Sequence, residues 1–452
     1  MKIIIAGDGK VGASLTRQLS SEGYDLTLID ENPNVLEASV ERYDVIGIHG
    51  NCASMSVLRQ AGAEDADLLI AATGADEINL LCCMTAHVIN PRLHTIARIR
   101  NPEYTDQIYE MSDAFALSLA FNPEKQAAEE IERLLKYPGF LRRDSFANGR
   151  VQIVELRIDA GSKLCNIPLS AMNETVKCQV LVCTVLRDGT AITPDGSFVL
   201  KEGDRIFVTA PTRNLTILLK SLGIITKRAK RVILCGGGKI SLYLANLLTK
   251  EGVSVHLIEN RKEHCLDLAA MLPSVCVIHG DAGNQSVLES ERLDDCDALV
   301  ALTGLDEINI IISLYAIRRG VPQIITKLGR MDDTSIVNNL SLGSVIRPKE
   351  LCCDTIVRYV RAMQNQTGAA VSVHAIADGQ AEAVEFLVDE HTLHCGQPLK
   401  DLKLKKNILI VSISRGAKSE IPNGDSCFQP GDTLILVTNR SDKLQQLNDI
   451  FA

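Results

Sequence analysis

Lys2-Ile3-Ile4-Ile5-Ala6-Gly7-Asp8-Gly9-Lys10-Val11-Gly12 is the stretch that decides the fold. An apolar β-run opens directly into G-x-G-x-x-G, and a helix-like segment follows from Val11 to about Glu22. A second apolar run, Leu26–Ile29, ends on Asp30, which stands 18 residues after Gly12. Strand, glycine turn, helix, strand and terminal acid together make a dinucleotide-binding unit. Gly7 permits the tight turn, Gly9 lets the backbone approach a pyrophosphate, and Gly12 lets helix and strand pack closely. The pyrophosphate is expected on the positive end of the helix that begins near Val11. Asp30 accepts hydrogen bonds from a ribose diol and repels a 2′-phosphate, which favours NAD-type or adenine nucleotides over NADP. Lys10 offsets phosphate charge. The expected site in this stretch is therefore Gly7, Asp8, Gly9, Lys10, Val11, Gly12 and Asp30; the alternative is a tight α/β turn with no ligand.

The βαβ rhythm continues beyond Asp30. Asp44–His49 is expected as a strand, ending in Gly50-Asn51-Cys52, and a helix is expected over 54–61. Asp67–Ala72 is a buried strand running into Thr73-Gly74-Ala75-Asp76-Glu77-Ile78-Asn79, which opens another helix. His94–Ile99 carries Arg98, a helix follows over Pro102–Met111, and a strand is expected around Ala114–Leu119. Alternating elements of this length call for a parallel, doubly wound sheet. Its ligands lie at the carboxyl ends of the strands. Asn51, Thr73, Gly74 and Arg98 join the candidate site for that reason. An ion pair is the competing account of Arg98. Helix-end electrostatics already explain Asp76 and Glu77, and Asn79 either closes its own turn or reaches the ligand. Pro123 starts a charged amphipathic helix through Lys136, with a stop at Tyr137-Pro138-Gly139. Beyond it, Val151–Ile158 alternates apolar and polar residues as a half-exposed strand would. With Cys178–Arg187, Arg205–Thr209 and several glycine turns it forms a small β-rich lobe.

The pattern then starts again. Val232-Ile233-Leu234-Cys235 precedes Gly236-Gly237-Gly238-Lys239-Ile240-Ser241, and a strand ending on Glu259 stands 18 residues after Ser241. Thr303-Gly304-Leu305-Asp306-Glu307-Ile308-Asn309 repeats the earlier heptapeptide with one residue changed. His279-Gly280-Asp281 echoes His49-Gly50-Asn51, Lys327 falls where Arg98 did, and Pro348 again opens a helix. A period of roughly 228–230 residues over that many landmarks marks a tandem duplication. The fold class is therefore α/β, with two Rossmann-like doubly wound lobes, each followed by a small β-rich α+β lobe. The expected segments are a Rossmann lobe over 1–122, a crossover helix over 123–138 and a β-rich lobe over 139–222. The second set is 230–347, 348–366 and 369–452. The second candidate site is Gly236, Gly237, Gly238, Lys239, Ile240, Glu259, Asp281, Thr303, Gly304 and Lys327. Ser241 departs from the third glycine and crowds the packing slightly. Gly329 replaces Arg100, so one positive charge is lost.

Composition removes several function classes. The 452 residues carry a formal charge of -9 and no Trp, so no basic, aromatic-studded surface for nucleic acid is expected. The β-run beginning at Lys2 is expected to leave no room for a leader. No apolar run approaches the ~18 residues that span a bilayer. Leu80–Ile89 and Ile310–Ile317 are expected as buried helices. Fourteen cysteines without a C-x-x-C spacing suit a reducing compartment. Cys82-Cys83 and Cys352-Cys353 are read as core filling. His391, His394 and Cys395 are read as an ordinary loop, with no metal site expected. His49 and His279 are read as structural residues at strand ends. A dehydrogenase needs a proton donor beside its nicotinamide. No His/Asp/Lys arrangement of that kind stands out after either glycine turn, so nucleotide sites without chemistry are expected, and with them regulation.

The strand-GDGKVG start, the T-G-x-D-E-I-N segment, Ile96–Pro102 and the duplication resemble the TrkA family. These are the peripheral regulatory subunits of Trk-type bacterial potassium uptake, built from tandem RCK modules. The resemblance spans essentially the whole chain. It implies a non-enzymatic cytoplasmic ring, formed as a homotetramer, on the inner face of the cell membrane beneath a membrane-embedded potassium-translocating subunit. It also implies that NAD(H), or ATP and ADP, in the Rossmann lobes gates that subunit. An NAD-dependent oxidoreductase and a soluble nucleotide sensor are the alternatives.

Overall fold

A computed structural model describes residues 1–136, 140–147, 149–159, 161–222, 229–329, 340, 342–364, 370–416, 418–439, 444 and 446–452. The expected helix stop at 137–139 and the start of the second β-rich lobe at 369 lie outside the described residues. The chain divides into two compact units: Met1–Glu129 with Arg347–Tyr359, and Glu130–Ile346 with Val360–Ala452.

The first unit is built on β1 (Lys2–Ala6), β2 (Asp25–Asp30), β3 (Ile46–His49), β4 (Leu68–Ala71), β5 (His94–Arg98) and β6 (Leu119–Phe121). They form one parallel sheet in the order β3-β2-β1-β4-β5-β6. Order reverses between β1 and β4, so the crevice beyond their carboxyl ends is where the glycine turn opens. The β1 and β4 residues Ile4, Ala6, Leu69 and Ala71 are almost fully buried in one core with Leu58, Cys82, Cys83 and Ala86 from the covering helices. The adjacent cysteines fill that core, as their apolar setting required.

Two local expectations change. The strand expected over 114–119 is Leu119–Phe121 instead. The preceding backbone is spent in turns, with Phe115 N–H on Met111 O, Leu117 N–H on Ser112 O and Ala116 at φ +53°. The helix Asp76–Ile89 is buried along one face only; Leu81, Met84 and Val88 are exposed. Its counterpart Asp306–Arg318 likewise exposes Ile311, Leu314 and Ile317. Each helix covers a sheet with one face, and apolar composition alone did not reveal that the other is free within its unit.

The second unit holds three sheets. One is antiparallel, in the order β10-β9-β11-β8-β7, with β7 (Arg142–Phe146), β8 (Val151–Arg157), β9 (Leu181–Arg187), β10 (Thr190–Ile192) and β11 (Arg205–Thr209). The parallel sheet comprises β12 (Arg231–Cys235), β13 (Ser254–Glu259), β14 (Cys276–His279), β15 (Ala298–Ala301), β16 (Gln323–Lys327) and β17 (Ser344–Ile346). Its order, β14-β13-β12-β15-β16-β17, repeats that of the first unit. The last runs β18 (Ala370–Ile376), β19 (Ala381–Leu387), β22 (Thr433–Asn439), β20 (Ile408–Arg415) and β21 (Lys418–Glu420). Its order matches the other antiparallel sheet strand for strand.

β8 is not half exposed, as its alternation suggested. Val154 and Leu156 pack in the core of their own lobe, while Val151 and Ile153 pack against Ile376, Ala383, Val411 and Val437 of the other β-rich lobe. Both faces are thus covered, and the buried charges are paired: Glu155 with Arg205, and Asp144 on β7 with His374 on β18 at 3.2 Å. Burial alone would raise the Asp144 carboxyl, but Arg142 and His374 outweigh it and hold the group at about 2. No helix among the described residues is long and apolar enough to cross a membrane.

Candidate nucleotide-binding sites

The first glycine turn has the geometry its three glycines require. Gly7 leaves β1 at φ +93°, and a Cβ there would stand 2.9 Å from the Thr73 backbone at the end of β4. Its N–H is held by Ile29 O at 2.8 Å. Gly9 is the N-cap of the helix Lys10–Ser21, and nothing lies within 4 Å of where its Cβ would be. That open side, at a positive helix end, leaves room for a phosphate to approach the backbone. A Cβ on Gly12 would stand 1.9 Å from Gly7 O, so helix and strand touch there through backbone alone. Val11 and Asp8 are buried and Lys10 is exposed.

Asp30 ends β2 half-exposed and braces the turn. Its Oδ2 accepts the Asp8 N–H at 2.7 Å and its Oδ1 the Asn32 N–H at 2.8 Å. Asp8, one of the residues expected at the site, is withdrawn from solvent. It is 1% exposed, and among the described residues neither carboxyl oxygen has a hydrogen bond of good geometry. Burial and the nearby Asp30 charge raise its carboxyl, with the Ser39 hydroxyl offsetting them in part.

The T-G-x-D-E-I-N segment turns out to be a brace. Asn79, fully buried, accepts the Thr73 N–H at 2.9 Å and hydroxyl at 2.7 Å, and donates to Arg98 O at 2.9 Å. It staples the ends of β4 and β5. Asp76 accepts the N–H groups of Arg100 and Asn101 at 2.8 and 2.7 Å, fixing the turn after β5. The second copy repeats both devices: Asn309 takes the Thr303 N–H and hydroxyl and donates to Lys327 O, and Asp306 takes the Gly329 N–H. Retention of Asp and Asn in both copies, while Arg100 became Gly329, was the sequence signal for a backbone role. Gly74 and Gly304 have open space where a Cβ would stand.

Arg98 ends β5 with its guanidinium 3.5 Å from Glu124, at the start of the helix Pro123–Lys136. The pair is largely buried, and among the described residues Arg98 Nε and Glu124 Oε2 have no hydrogen-bond partner. Burial lowers the Arg98 affinity for its proton, with the Glu124 charge opposing. Lys327, at the same place in the second lobe, donates to Thr303 O at 2.6 Å. Asn51 and Asp281 are exposed and form local turns, accepting from Ala53 N–H and Gly283 N–H at 2.8 Å. His49 and His279 each contact a carbonyl, Glu31 O and Asn260 O respectively. Among the described residues no His, Cys, Asp and Glu cluster has metal-ligand geometry.

The second glycine turn reaches the same backbone path with different side chains. Gly236 has φ +107° and gives its N–H to Ile258 O at 2.8 Å. Gly238 caps the helix Lys239–Lys250 with open space beside it, and Ile240 is buried behind an exposed Lys239. Ser241 is fully buried and donates its hydroxyl to Gly236 O, so its extra atoms are used rather than merely tolerated. Glu259 is 7% exposed; Oε2 accepts the Gly237 N–H at 2.9 Å, and Oε1 accepts from Arg261 N–H and Nε. Burial would raise this carboxyl, but those donors hold it below the ordinary range. His264 adds a contact to Gly237 O at 2.8 Å.

Comparison with known proteins settles the family. The TrkA-N domain matches residues 3–117 and 232–348, and the TrkA-C domain matches 153–223 and 383–452. The chain belongs to the TrkA family. It is 30% identical over 460 residues to the Trk system potassium uptake protein TrkA of Haemophilus influenzae, covering 100% of this chain and 98% of that one. With the Trk system potassium uptake protein TrkA homolog of Archaeoglobus fulgidus the identity is 32% over 451 residues, covering 100% of both. Among solved structures, the GsuK RCK domain shares the fold at a TM-score of 0.62 and 16% identity, covering 97% of this chain and 92% of that one. The GsuK channel bound to NAD gives 0.60 and 16%, covering 97% and 77%.

Proposed function

We propose that this TrkA-family chain is a nucleotide-binding regulatory subunit of a potassium uptake system. NAD(H), or ATP and ADP, occupies the two Rossmann lobes, and no reaction is catalysed. The observation that carries this reading is the paired glycine turn: in each lobe a positive-φ glycine, an open cap glycine and a bracing terminal acid recur at the same strand ends. The relatives' names supply the transport system, and the NAD-bound GsuK channel supplies the ligand class.

In this reading the ligands are held by the residues of the two turns, by Asp30 and Glu259, by Thr73-Gly74 and Thr303-Gly304, and by Arg98 and Lys327, with Asn51 and Asp281 at the rim. The working lobes remain 1–122, 139–222, 230–347 and 369–452, joined by the helices beginning at Pro123 and Pro348. A phosphate arriving at the first site competes with Glu124 for Arg98. Releasing Glu124 frees the start of a helix that leads out of the lobe, which converts occupancy into motion. Such coupling between two sites is typically ~1–3 kcal/mol and requires unequal nucleotide affinity for the two arrangements. The partner is a membrane-embedded Trk potassium-translocating subunit, met by a homotetrameric ring at the cytoplasmic face of the membrane. The exposed apolar rows on Asp76–Ile89 and Asp306–Arg318 are suited to contacts between copies.

The test is co-purification with a potassium-translocating membrane subunit, with and without NADH, ATP and ADP. Capture of that subunit, with nucleotide-dependent potassium uptake, is the expected result. Failure to capture it, or uptake indifferent to every nucleotide, overturns the reading.

A further inference from the structure

The corners that follow β2 and β13 differ in charge, the first presenting two acids and the second an exposed arginine and lysine, and resting on the proposed nucleotide function we infer that the second lobe accepts a ribose bearing a 2′-phosphate while the first rejects it. In the first lobe the Asp30 carboxylate is half-exposed at the end of β2 and is followed by exposed Glu31 and Asn32. The helix that comes next, Pro33–Arg42, has its N-terminus closed by Asn32, whose side chain accepts the Asn34 N–H at 3.1 Å. A second phosphate placed there would meet two carboxylates and an already capped helix end.

The second lobe inverts each element. Glu259 is longer than Asp30 by one methylene and reaches back beneath the glycine turn. The space exists because residue 237 is glycine: a Cβ there would stand 3.0 Å from Glu259 Oε2 and 2.5 Å from Leu268 Cδ1. The acid is thereby withdrawn to 7% exposure. What lies at the surface instead is Arg261, its side chain 69% exposed and tied to Glu259 through Nε alone, at 3.1 Å. The two terminal nitrogens of the guanidinium make no hydrogen bond to the acid, and a fork of this kind suits a phosphate. Arg261 is also the N-cap of the helix Lys262–Met271, and no side chain caps that end. Exposed Lys262 adds a second cation against one exposed acid, Glu263. A terminal acid with a neighbouring arginine is the general arrangement that accommodates a ribose 2′-phosphate.

Because Gly9 and Gly238 have open space where a Cβ would go, aspartate at either position blocks one phosphate seat without disturbing the core. The full-length Gly9→Asp variant therefore reports on the second lobe and Gly238→Asp on the first, with thermal melts confirming that both remain folded. Binding is read from NADH and NADPH fluorescence, which no tryptophan obscures. Gly9→Asp is expected to bind NADPH at least as tightly as NADH, and Gly238→Asp to bind it about tenfold more weakly or worse, as a like-charge contact near the surface implies. Arg261→Ala in the Gly9→Asp background should lower the NADPH-to-NADH affinity ratio by about tenfold, and Arg261→Lys should restore part of it. Adenosine 2′,5′-bisphosphate should then compete better than ADP, which separates phosphate position from total charge. Weaker binding of NADPH than NADH by Gly9→Asp, or an Arg261→Ala ratio unchanged, overturns the inference while leaving nucleotide regulation intact. Loss of all nucleotide binding in Gly9→Asp overturns both for the second lobe.

Discussion

The first and second glycine turns follow one backbone path with different chemistry, and the differences are concerted. Where the first lobe has Asp8, Gly12, Asp30 and Ser39, the second has Gly237, Ser241, Glu259 and Leu268. Asp8 fills a buried space beside Ser39 and pushes against Asp30; Gly237 vacates that space for Leu268 and the longer Glu259. Gly12 touches Gly7 O through bare backbone, whereas Ser241 satisfies the matching carbonyl with its hydroxyl. A duplicated site can thus hold its brace, acid to turn N–H, while exchanging the groups around it.

The sharpest way to break the equivalence is at the third turn position. Gly12→Val should cost about 3 kcal/mol, because its Cβ meets fixed backbone rather than a movable side chain. Ser241→Gly should cost only about 1–2 kcal/mol, from one lost hydrogen bond and a freer helix start. Denaturant melts of the two variants test this order, and a Ser241→Gly loss equal to that of Gly12→Val contradicts it.

Next come the bracing acids. Asp30→Ala should weaken nucleotide binding in the first lobe by tenfold or more while costing about 1–2 kcal/mol through two N–H groups left unpaired. NADH and ATP titrations that show unchanged affinity would remove Asp30 from the site.

A smaller effect is expected at Arg98, which we propose connects the first site to its outgoing helix through Glu124. Arg98→Ala should weaken nucleotide binding and uncouple transport from it. Glu124→Gln should instead strengthen binding by a few-fold, since the competing charge is gone. Isothermal titration of both variants distinguishes a latch from a passive ion pair, for which Glu124→Gln would leave affinity unaltered. The second lobe offers no matching acid, because Lys349 stands where Glu124 does.

The smallest effect concerns Asp8. A carboxyl raised in the folded state contributes most below its unfolded value, and that contribution is lost as pH climbs through the folded value. Asp8→Asn should therefore raise the melting temperature at neutral pH, and the gain should vanish on acidification toward the ordinary carboxylate range. A gain independent of pH would mean that Asp8 is not the burdened group.

Much of this was legible in the chain itself. The glycine spacing, the terminal acids and the repeated heptapeptide identified two Rossmann-like lobes because each rests on a local backbone requirement. Helix Pro33–Arg42 was harder to read, since only Leu36 and Ser39 are buried on it, although Asn32-Pro33 is a cap followed by a first-turn proline. The covered second face of β8 was invisible, because the residues that bury it lie in the other β-rich lobe, more than two hundred positions away.

The sequence by itself determined the duplication, the parallel doubly wound class and the place of both turns, since glycine spacing, strand-end acid and their recurrence can be read along the chain. Only tertiary structure decided what the retained side chains do. Asp76 and Asn79 are spent on backbone N–H and carbonyl groups of later strands, Arg98 is held by Glu124, and the Glu259 acid is buried so that Arg261 meets the solvent. Those outcomes depend on which groups from distant segments arrive within hydrogen-bonding distance, and a buried donor or acceptor takes the partner that packing brings it.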